Sequence, residues 1–373
     1  MSRGSKRHTH FDSLSEVRPW EDVVGKLVIL GTEDDPHIPR VMNGFTELGG
    51  EFSVVDYRRG VDFTLTQSDD AYCWSVNGVP ISRQDLIWNR MKLWYGSPLF
   101  FNDRIEGETV AEEFRRNMVR QQEWYAALHA LKTLHADAIV NSPVGTARMS
   151  KPFQQWIASR LGFKTPRSLI TTSKAELERF YSSCKSVIIK GQNGSTALPQ
   201  GEFTPPQAIM TMRLLPDELT MIDDDSLRAC PQLFQEEIEK DHELRIFATR
   251  TAVAAFRVDS QRFEATAVDW RFGNTFLPFV SIDIDDELTG KILHFLREFE
   301  LTYGSFDFIV DRAGDLWFLE CNPDGQWGFL ETDEKPVVSQ MLAREFYDRL
   351  QNRSDGIGWP DDATGRERKQ AAN

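Results

Sequence analysis

The stretch GSFDFIVDRAGDLWFLECNPDGQW, residues 304–327, decides how this chain folds around its polar residues. Two apolar runs flank a turn at 312–314, which predicts a β-hairpin. If the loop has two residues, Asp307 and Glu320 lie on the same face of the sheet, because side chains alternate with a period of two. Asn322 shares that face, since it follows Glu320 by two residues.

Two carboxylates and a carboxamide form an all-oxygen ligand set that suits Mg²⁺, which completes its coordination with phosphate and water. The two runs are largely apolar, and unpaired carboxylates there would be costly without a cation beside them. The alternative is that Asp307 and Glu320 are ordinary polar residues of a half-exposed hairpin. The metal interpretation indicates nucleotide-dependent chemistry.

Composition excludes several classes of protein. The 373 residues include 43 Lys+Arg and 57 Asp+Glu, and a formal net charge of −14 argues against nonspecific nucleic-acid binding. No apolar run is long enough to span a membrane, and no apolar signal core follows the N-terminus. The 4 cysteines form no CxxC pair. We expect a cytoplasmic α/β protein of two or three domains, with neither nucleic acid nor membrane as partner.

The first part of the chain has the pattern of an α/β domain. From Lys26 to about Tyr57, a strand, a helix and a second strand form one βαβ unit. A hairpin with its turn at 77–78 follows, then a short strand at 85–91. A long amphipathic helix is predicted near Glu106–His135.

The second part alternates helical and β patterns. A helix is predicted from about Met149, and the strand SVIIK (186–190) precedes a Gly/Asn/Ser loop. Residues 196–229 show little pattern. Several β runs follow, with a helix near Asp285–Leu301 and a final helix from about Lys335.

Lys190 and the loop 191–195 are candidates for phosphate binding. Backbone amides of such a loop approach phosphate closely, and the lysine adds positive charge. The loop matches neither a Walker A motif nor GxGxxG, so an ordinary surface loop is the alternative.

Further candidates lie in PQLFQEEIEKDHELRIF, residues 231–247. An extended segment at 236–238 can offer main-chain groups to an adenine edge, and Glu243 can accept hydrogen bonds from ribose hydroxyls. The alternative is a solvated acidic edge strand. Arg245 and Arg271 are candidates for phosphate oxygens, because guanidinium binds them bidentately; surface ion pairs are the alternative.

The order and spacing of these segments resemble the ATP-grasp superfamily and, within it, the microviridin-type graspetide synthetases that tailor ribosomal peptides. The segments that carry the resemblance are NSPVGTARMSKPFQQWIASRLGFKTPRSLITT (141–172), CPQLFQEEIEKDHELRIFATR (230–250), VDWR (268–271) and the opening stretch at 304–327. They span about half of the chain. The closing D…E-x-N-P-x-G-Q-W form is fairly specific to the peptide-tailoring branch.

The resemblance implies an α/β protein with the ATP-grasp fold, built from an N-terminal α/β (βαβ) domain, a small central α+β lid domain and a C-terminal α+β domain. The implied boundaries are a disordered N-terminus at 1–24, an N-terminal domain at 25–148, a central subdomain with the nucleotide lysines at 149–235, a C-terminal subdomain with the magnesium site at 236–353 and a disordered tail at 354–373.

The resemblance also implies a nucleotide site. Lys151 and Lys190 match the two family lysines on the nucleotide phosphates, although Lys164 lies one helix away from Lys151 and is the other candidate. The implied ATP-binding residues are Lys151, Lys190, Gly191, Gly194, Ser195, Glu236, Glu237, Ile238 and Glu243.

Metal and catalytic roles follow from the same resemblance. Asp307, Glu320 and Asn322 match the family's magnesium ligands, with Mn²⁺ as an alternative metal. Arg245 and Arg271 match the arginines that the family places near the transferred phosphate and the substrate carboxylate. They are the implied catalytic residues.

The implied activity is that of an ADP-forming, ATP-dependent carboxylate–amine or carboxylate–alcohol ligase. It would activate Asp/Glu side chains of a ribosomal precursor peptide, with a leader and an acidic core, as acyl phosphates and form ω-ester or ω-amide crosslinks. A homodimer is also expected. Two alternatives stay open: an ATP-grasp ligase that joins a free amino acid or small amine to a peptide or small carboxylate, and a nucleotide-binding module without catalysis.

Overall fold

The computed structural model describes residues 25–32, 35–56, 62–68, 71–82, 84–90, 105–192, 196–197, 207–208, 210–273 and 277–354. The strands are β1 Leu27–Gly31, β2 Phe52–Asp56, β3 Phe63–Ser68, β4 Ala71–Val76, β5 Val79–Ile81, β6 Leu86–Asn89, β7 Ile139–Val140, β8 Ser168–Thr171, β9 Val187–Lys190, β10 Thr196–Ala197, β11 Gln207–Ala208, β12 Met212–Arg213, β13 Gln232–Glu236, β14 Lys240–Thr249, β15 Val253–Val258, β16 Phe279–Ile282, β17 Tyr303–Asp311 and β18 Leu316–Asn322. The helices are α1 His37–Glu47, α2 Val110–Leu134, α3 Pro143–Ala147, α4 Lys151–Arg160, α5 Lys174–Ser183, α6 Pro216–Met221, α7 Asp224–Arg228, α8 Asp286–Glu298 and α9 Val337–Ser354. The predicted disordered N-terminus, 1–24, and residues 355–373 of the predicted tail lie outside the described residues, whereas Ser354, where that tail was predicted to begin, is the last residue of α9.

The N-terminal sheet is parallel, with strand order β2-β1-β6-β7. Every residue of β1 is buried, as expected for a strand with both faces covered. The predicted βαβ unit is therefore confirmed. The predicted hairpin turn is also observed: Asn77 and Gly78 both have positive φ, 49° and 74°, as a two-residue hairpin turn requires.

Helix α2 begins later than the sequence pattern predicts, at Val110 instead of near Glu106. Thr109 caps it: Glu112 N donates to Thr109 Oγ1 at 3.3 Å, and Thr109 N donates to Glu112 Oε2 at 3.0 Å. This capping box fixes the start of the helix. Its apolar residues are not confined to one face, since Phe114 and Val119 are both exposed.

The central sheet is antiparallel, with strand order β12-β9-β13-β8. Its core contains Leu177 of α5, Leu227 of α7 and Phe234 of β13. Residues 196–229 show little sequence pattern. The described residues of this region form the short strands β10, β11 and β12 and the short helices α6 and α7. Each helix is too short for a clear apolar period.

The C-terminal sheet is antiparallel, with strand order β16-β15-β14-β17-β18. One face packs against α4 and α8 through an apolar cluster that includes Ile246 and Phe306. The other face has two parts. At one end, Phe247 and Tyr303 join a core with the N-terminal sheet, α1 and α9. At the other end this face carries Arg245 and the polar residues of β17 and β18, and that end forms the site described below.

The β17–β18 hairpin differs from the prediction in its loop. The loop has three residues, 312–314: Asp311 N donates to Asp315 O, and Gly314 adopts a φ of 86°. This loop alone would place Glu320 on the face opposite Asp307. A β-bulge at Leu319 adds one residue and restores the pairing of Asp307 with Glu320. The shared face is therefore observed, although the two-residue loop was wrong.

None of the helices in the described part of the chain is long and apolar enough to cross a membrane.

Candidate functional site

A cavity of about 720 Å³ lies between the central sheet and the C-terminal sheet. The predicted site residues that line it are Lys151, Lys190, Gly191, Glu236, Glu237, Ile238, Glu243, Arg245, Arg271, Asp307, Glu320 and Asn322. Gly194 and Ser195 lie outside the described residues. Residues up to 171 positions apart in the sequence thus meet in one cavity.

A row of charged side chains crosses the floor of this cavity. Arg245, Asp307 and Glu320 are direct cross-strand neighbours on β14, β17 and β18. Arg245 Nη1 donates to Asp307 Oδ2 at 2.6 Å, and Lys151 Nζ lies 2.9 Å from Glu320 Oε2. Lys151 reaches the row because it is the first residue of α4. The two carboxylates stand side by side, with a cation at each end.

The surroundings of Asp307 and Glu320 shift the pKa values of the two carboxyls in opposite directions. Burial and the neighbouring Glu320 raise the pKa of Asp307, although Arg245 acts in the opposite direction. Burial also opposes ionisation of Glu320, but Lys151 and Lys190 outweigh it and hold the pKa of Glu320 below its usual value. Two adjacent carboxyls repel each other when both are ionised, and a bound cation would relieve that repulsion.

The donor set fits a hard divalent cation. Asn322 follows Glu320 on the same face and pairs with Ser305 across the strands. In the part of the chain that the structure describes, no three His, Cys, Asp or Glu residues are grouped to hold a metal by themselves. Two carboxylates and one amide oxygen therefore leave room for phosphate oxygens and water, as Mg²⁺ prefers.

Lys190 lies opposite this row, at the end of β9. Burial, together with the positive charges of Lys151 and Lys240, lowers its pKa to about 8. Lys190 forms no ion pair with a described carboxylate, and the attraction of Glu320 and Glu243 does not outweigh the cost of its burial. Lys164, the alternative to Lys151, pairs with Asp315 on the outside of the hairpin and does not line the cavity.

The segment 236–238 connects the two sheets at the rim of the cavity. The Glu236 and Glu237 side chains point to partners of their own: Arg167 Nε donates to Glu236 at 2.9 Å, and Arg213 Nε donates to Glu237 at 2.7 Å. Their main-chain N–H groups are also bonded. Within the described residues, the N–H of Ile238 has no such acceptor and remains free to donate to a ligand.

Glu243 lies in the cavity wall with its carboxylate buried against Lys240, whose Nζ is 2.7 Å away. Lys240 Nζ also donates to Val268 O at 3.0 Å. Sequence reasoning did not identify Lys240. Its side chain reaches Glu243 because β14 is irregular between Lys240 and His242, and no local pattern revealed that irregularity.

Arg271 is held in the wall by Asp269, a buried residue that sequence reasoning also missed. Arg271 Nε donates to Asp269 at 2.8 Å. Burial opposes ionisation of Asp269, but Arg271 outweighs it and lowers the pKa of that carboxyl. Asp269 also accepts a hydrogen bond from Thr211 N at 3.1 Å, which ties the central part to the C-terminal part. The available sequence signal was the motif D-W-R, in which Asp269 precedes Arg271 by two residues.

The loop after β18 approaches the charged row closely. A Cβ atom on Gly325 would lie 2.5 Å from the Ser305 side chain and 3.1 Å from Arg245 Nη2. The carbonyl of Gln326 accepts a hydrogen bond from Arg245 Nη2 at 3.4 Å. Glycine is therefore required at 325 for the backbone to pack on the arginine.

Solved structures show the same arrangement of sheets. The RiPP-associated ATP-grasp ligase of Chryseobacterium gregarium, in complex with ADP and a leader and core peptide, has a TM-score of 0.71 and 24% identity over 87% of this chain and 97% of that chain. The chain has the ATP-grasp fold. The same fold is found in macrocyclase MdnC of Microcystis aeruginosa MRC, bound with precursor peptide MdnA (TM-score 0.69, 20% identity, 87% and 99% coverage). It is also found in the ATP-grasp ligase PsnB complexed with minimal precursor (0.68, 21%, 88% and 99%).

At these identities the similarity establishes the ATP-grasp fold alone. No protein-family model matches the sequence, and no curated protein is similar enough to count as a match. The predicted ATP-grasp fold, with its mixture of parallel and antiparallel sheets, is thereby confirmed.

Proposed function

We propose that this chain is an ADP-forming, ATP-dependent ligase that activates Asp/Glu side chains of a ribosomally made precursor peptide and crosslinks them as ω-esters or ω-amides. The observation that carries the proposal is the charged row in the cavity, where the Asp307–Glu320 pair lies between Arg245 and Lys151 and faces Lys190. The similar structures hold ADP with a leader and core peptide in one case and a precursor peptide in another, which supports the same chemistry.

The nucleotide would lie between the two sheets. The free N–H of Ile238 suits an adenine edge, and the Glu243 carboxylate suits ribose hydroxyls. Lys151 and Lys190, with the loop that begins at Gly191, would bind the phosphates. Lys190 contributes most because it is already desolvated, and a charge-assisted hydrogen bond is strong in such an environment.

Asp307, Glu320 and Asn322 would hold Mg²⁺, or Mn²⁺ in its place, together with phosphate oxygens. The ion supplies neutralisation of the negative charge on the phosphates. The two carboxylates must be ionised for this, and Lys151 and Lys190 already favour the ionised form of Glu320. The hydrogen bond from Arg245 fixes the orientation of the Asp307 carboxylate beside Glu320.

The reaction would proceed in two steps that share one cavity. A peptide carboxylate oxygen attacks the γ-phosphorus, and ADP departs with the electron pair of the broken P–O bond. An amine or hydroxyl of the same peptide then attacks the acyl carbon, loses its proton, and releases inorganic phosphate. Arg245 and Arg271 are placed to bind the oxygens of the carboxylate and of the transferred phosphoryl group.

We extend the proposal to the organisation of the chain. The domain boundaries at 148/149 and 235/236 remain proposals, with α4 packing on the C-terminal sheet although it precedes the central one. A homodimer is proposed on the family resemblance, and light scattering tests it. A cytoplasmic location is proposed because the reaction needs ATP, and fractionation of cells tests it.

The test incubates the protein with ATP, Mg²⁺ and a precursor peptide with an acidic core, sought among the short genes beside its own, and measures ADP and intact peptide mass. We expect the peptide to lose one water per ADP formed. A mass gain that requires an added amino acid would show the free-substrate ligase, and nucleotide binding without ADP formation would show a binding module. The variant Glu320→Gln should lose turnover. Its control, Asp315→Asn in the same hairpin but outside the cavity, should keep it.

A further inference from the structure

His37, the first residue of α1, lies outside the cavity but contacts the loop that borders it. It is 3% exposed. Its Nδ1 lies 2.6 Å from Asp35 Oδ1, and its Nε2 faces two main-chain N–H groups, those of Trp327 at 3.3 Å and Gly328 at 3.1 Å. The imidazole thus connects the N-terminal sheet to the loop after β18.

The contacts determine which nitrogen of His37 carries the proton. Both N–H groups on the Nε2 side are donors, so Nε2 must accept, and the proton must be on Nδ1. Arg90 Nη2 also lies 3.3 Å from Nδ1, but it is closer to Asp35 Oδ2, at 2.7 Å, and donates there. Asp35 accepts that proton in a hydrogen bond. Arg90 holds the carboxylate from its other side, with Nε 2.8 Å and Nη2 2.7 Å from Asp35 Oδ2. Burial opposes ionisation of Asp35, but His37 and Arg90 outweigh it and keep its pKa well below the usual range.

The loop that His37 holds is also fixed by Arg40, whose Nη1 donates to Gly328 O at 3.1 Å, and by the indole of Trp327. That indole is fully buried, packs edge-on against the His37 ring with centroids 4.4 Å apart, and donates from Nε1 to Ser339 Oγ at 3.2 Å. The Arg90 guanidinium lies over it at 5.3 Å. His37 therefore contacts this residue twice, since its ring packs on the indole and its Nε2 accepts from the backbone N–H. The imidazole alone accounts for the backbone N–H of Trp327 and Gly328.

We propose that His37, set in one tautomer by Asp35 and Arg90, is a positioning residue for Arg245. The connection is short: the residue before Trp327 is Gln326, whose carbonyl accepts from Arg245 Nη2, and Gly325 packs against the same guanidinium. A shift of the loop backbone therefore moves an acceptor of Arg245 and its alignment with Asp307. The consequence for catalysis rests on the proposed function; the tautomer and the loop contact do not.

Asp35→Asn and His37→Phe test the two halves of the proposal. An asparagine can donate to Nδ1 and so favours the proton on Nε2, where it opposes two N–H donors. Phenylalanine keeps the ring but removes the acceptor. Both variants should lower ligase kcat roughly 10- to 100-fold, the range for residues that orient a functional site, with ADP affinity changed less than about twofold. His37→Gln restores an acceptor and should recover part of the rate. The control is Asp348→Asn, an exposed carboxylate of α9 that pairs with Arg344 away from this loop.

A second readout is independent of ligase activity. In protein labelled with ¹⁵N-histidine, we expect the His37 signals of the neutral form protonated at Nδ1, and a change toward the Nε2-protonated form in Asp35→Asn. Exchange of the Trp327 and Gly328 amide protons should accelerate about tenfold in His37→Phe, the factor expected for one lost hydrogen bond. An Nε2-protonated wild type, or unchanged exchange, would overturn the proposal. If these readouts are as expected and no peptide is modified, the proposed function fails instead.

Discussion

Replacing Lys190 by methionine should stabilise the free protein and abolish tight nucleotide binding at the same time. The two effects have one cause: the Lys190 ammonium is desolvated in the cavity, and the attraction of Glu320 and Glu243 does not offset that cost. Methionine has a similar length and no charge, so it removes the cost of that desolvation together with the contact to phosphate. Groups placed for function are often unfavourable for folding in this way.

The magnitude follows from the pKa of Lys190, which burial lowers from 10.5 to about 8. At 1.36 kcal/mol per pKa unit, holding the proton at pH 7 costs about 3 kcal/mol more in the folded protein than in water. The side chain is only partly buried by surface area, and solvent reduces that figure. We therefore expect Lys190→Met to raise the free energy of unfolding by about 1–3 kcal/mol.

The assay combines urea unfolding of the free protein at pH 7 with calorimetric titration of ADP. Loss of one charge-assisted hydrogen bond of about 1.5–3 kcal/mol should weaken ADP roughly 10- to 100-fold. The matched control is Lys240→Met. Lys240 pairs with Glu243 at 2.7 Å, with side chains 8% and 7% exposed, so its removal should lower stability by about 3–5 kcal/mol. A destabilised Lys190→Met variant that still binds ADP tightly would refute the reasoning.

Three further outcomes are expected. ADP affinity should be constant below about pH 8 and fall about tenfold per pH unit above it, because phosphate binding needs the protonated form of Lys190, whose pKa is about 8; Lys190→Arg should remove this dependence when titrations are repeated across pH. Gly325→Ala should lower the free energy of unfolding by about 1–3 kcal/mol in urea titrations, because its Cβ would lie 2.5 Å from a neighbouring side chain, whereas Gly290→Ala in α8, where nothing lies within 4 Å, should be neutral or stabilising; equal effects would contradict the packing argument. Removing Mg²⁺ with EDTA should weaken ADP binding by the wild type, and the variant Glu320→Gln should show the same calorimetric affinity with and without Mg²⁺; a wild type indifferent to EDTA would speak against the metal site.

The alternation of side chains was enough to predict that Asp307 and Glu320 share a face, but not the geometry that brings this about. A three-residue loop and a bulge at Leu319 together have the same result as a simple two-residue turn. The longer loop and the bulge each insert one residue between Asp307 and Glu320. Because side chains alternate with a period of two, two inserted residues leave both side chains on the same face, as no insertion would. The face was therefore predictable and the register at the turn was not.

Residues that act through distant partners were beyond sequence reasoning. Lys240 reaches Glu243 through an irregularity of its strand, and His37 meets Trp327 across 290 positions of sequence. Neither has a local pattern of its own. The positions of Lys190 and Asn322 in the cavity wall were predictable, because each lies at the end of a strand that the short-range pattern already indicates.

The most direct test of the central claim follows oxygen from the peptide carboxylate to phosphate. The peptide is prepared with ¹⁸O in its Asp and Glu carboxylates and is incubated with the protein, ATP and Mg²⁺, and the inorganic phosphate is analysed by mass spectrometry. Activation as an acyl phosphate predicts one ¹⁸O in each phosphate released, with one ADP and one water lost from the peptide. Unlabelled phosphate formed together with crosslinked peptide would contradict the account.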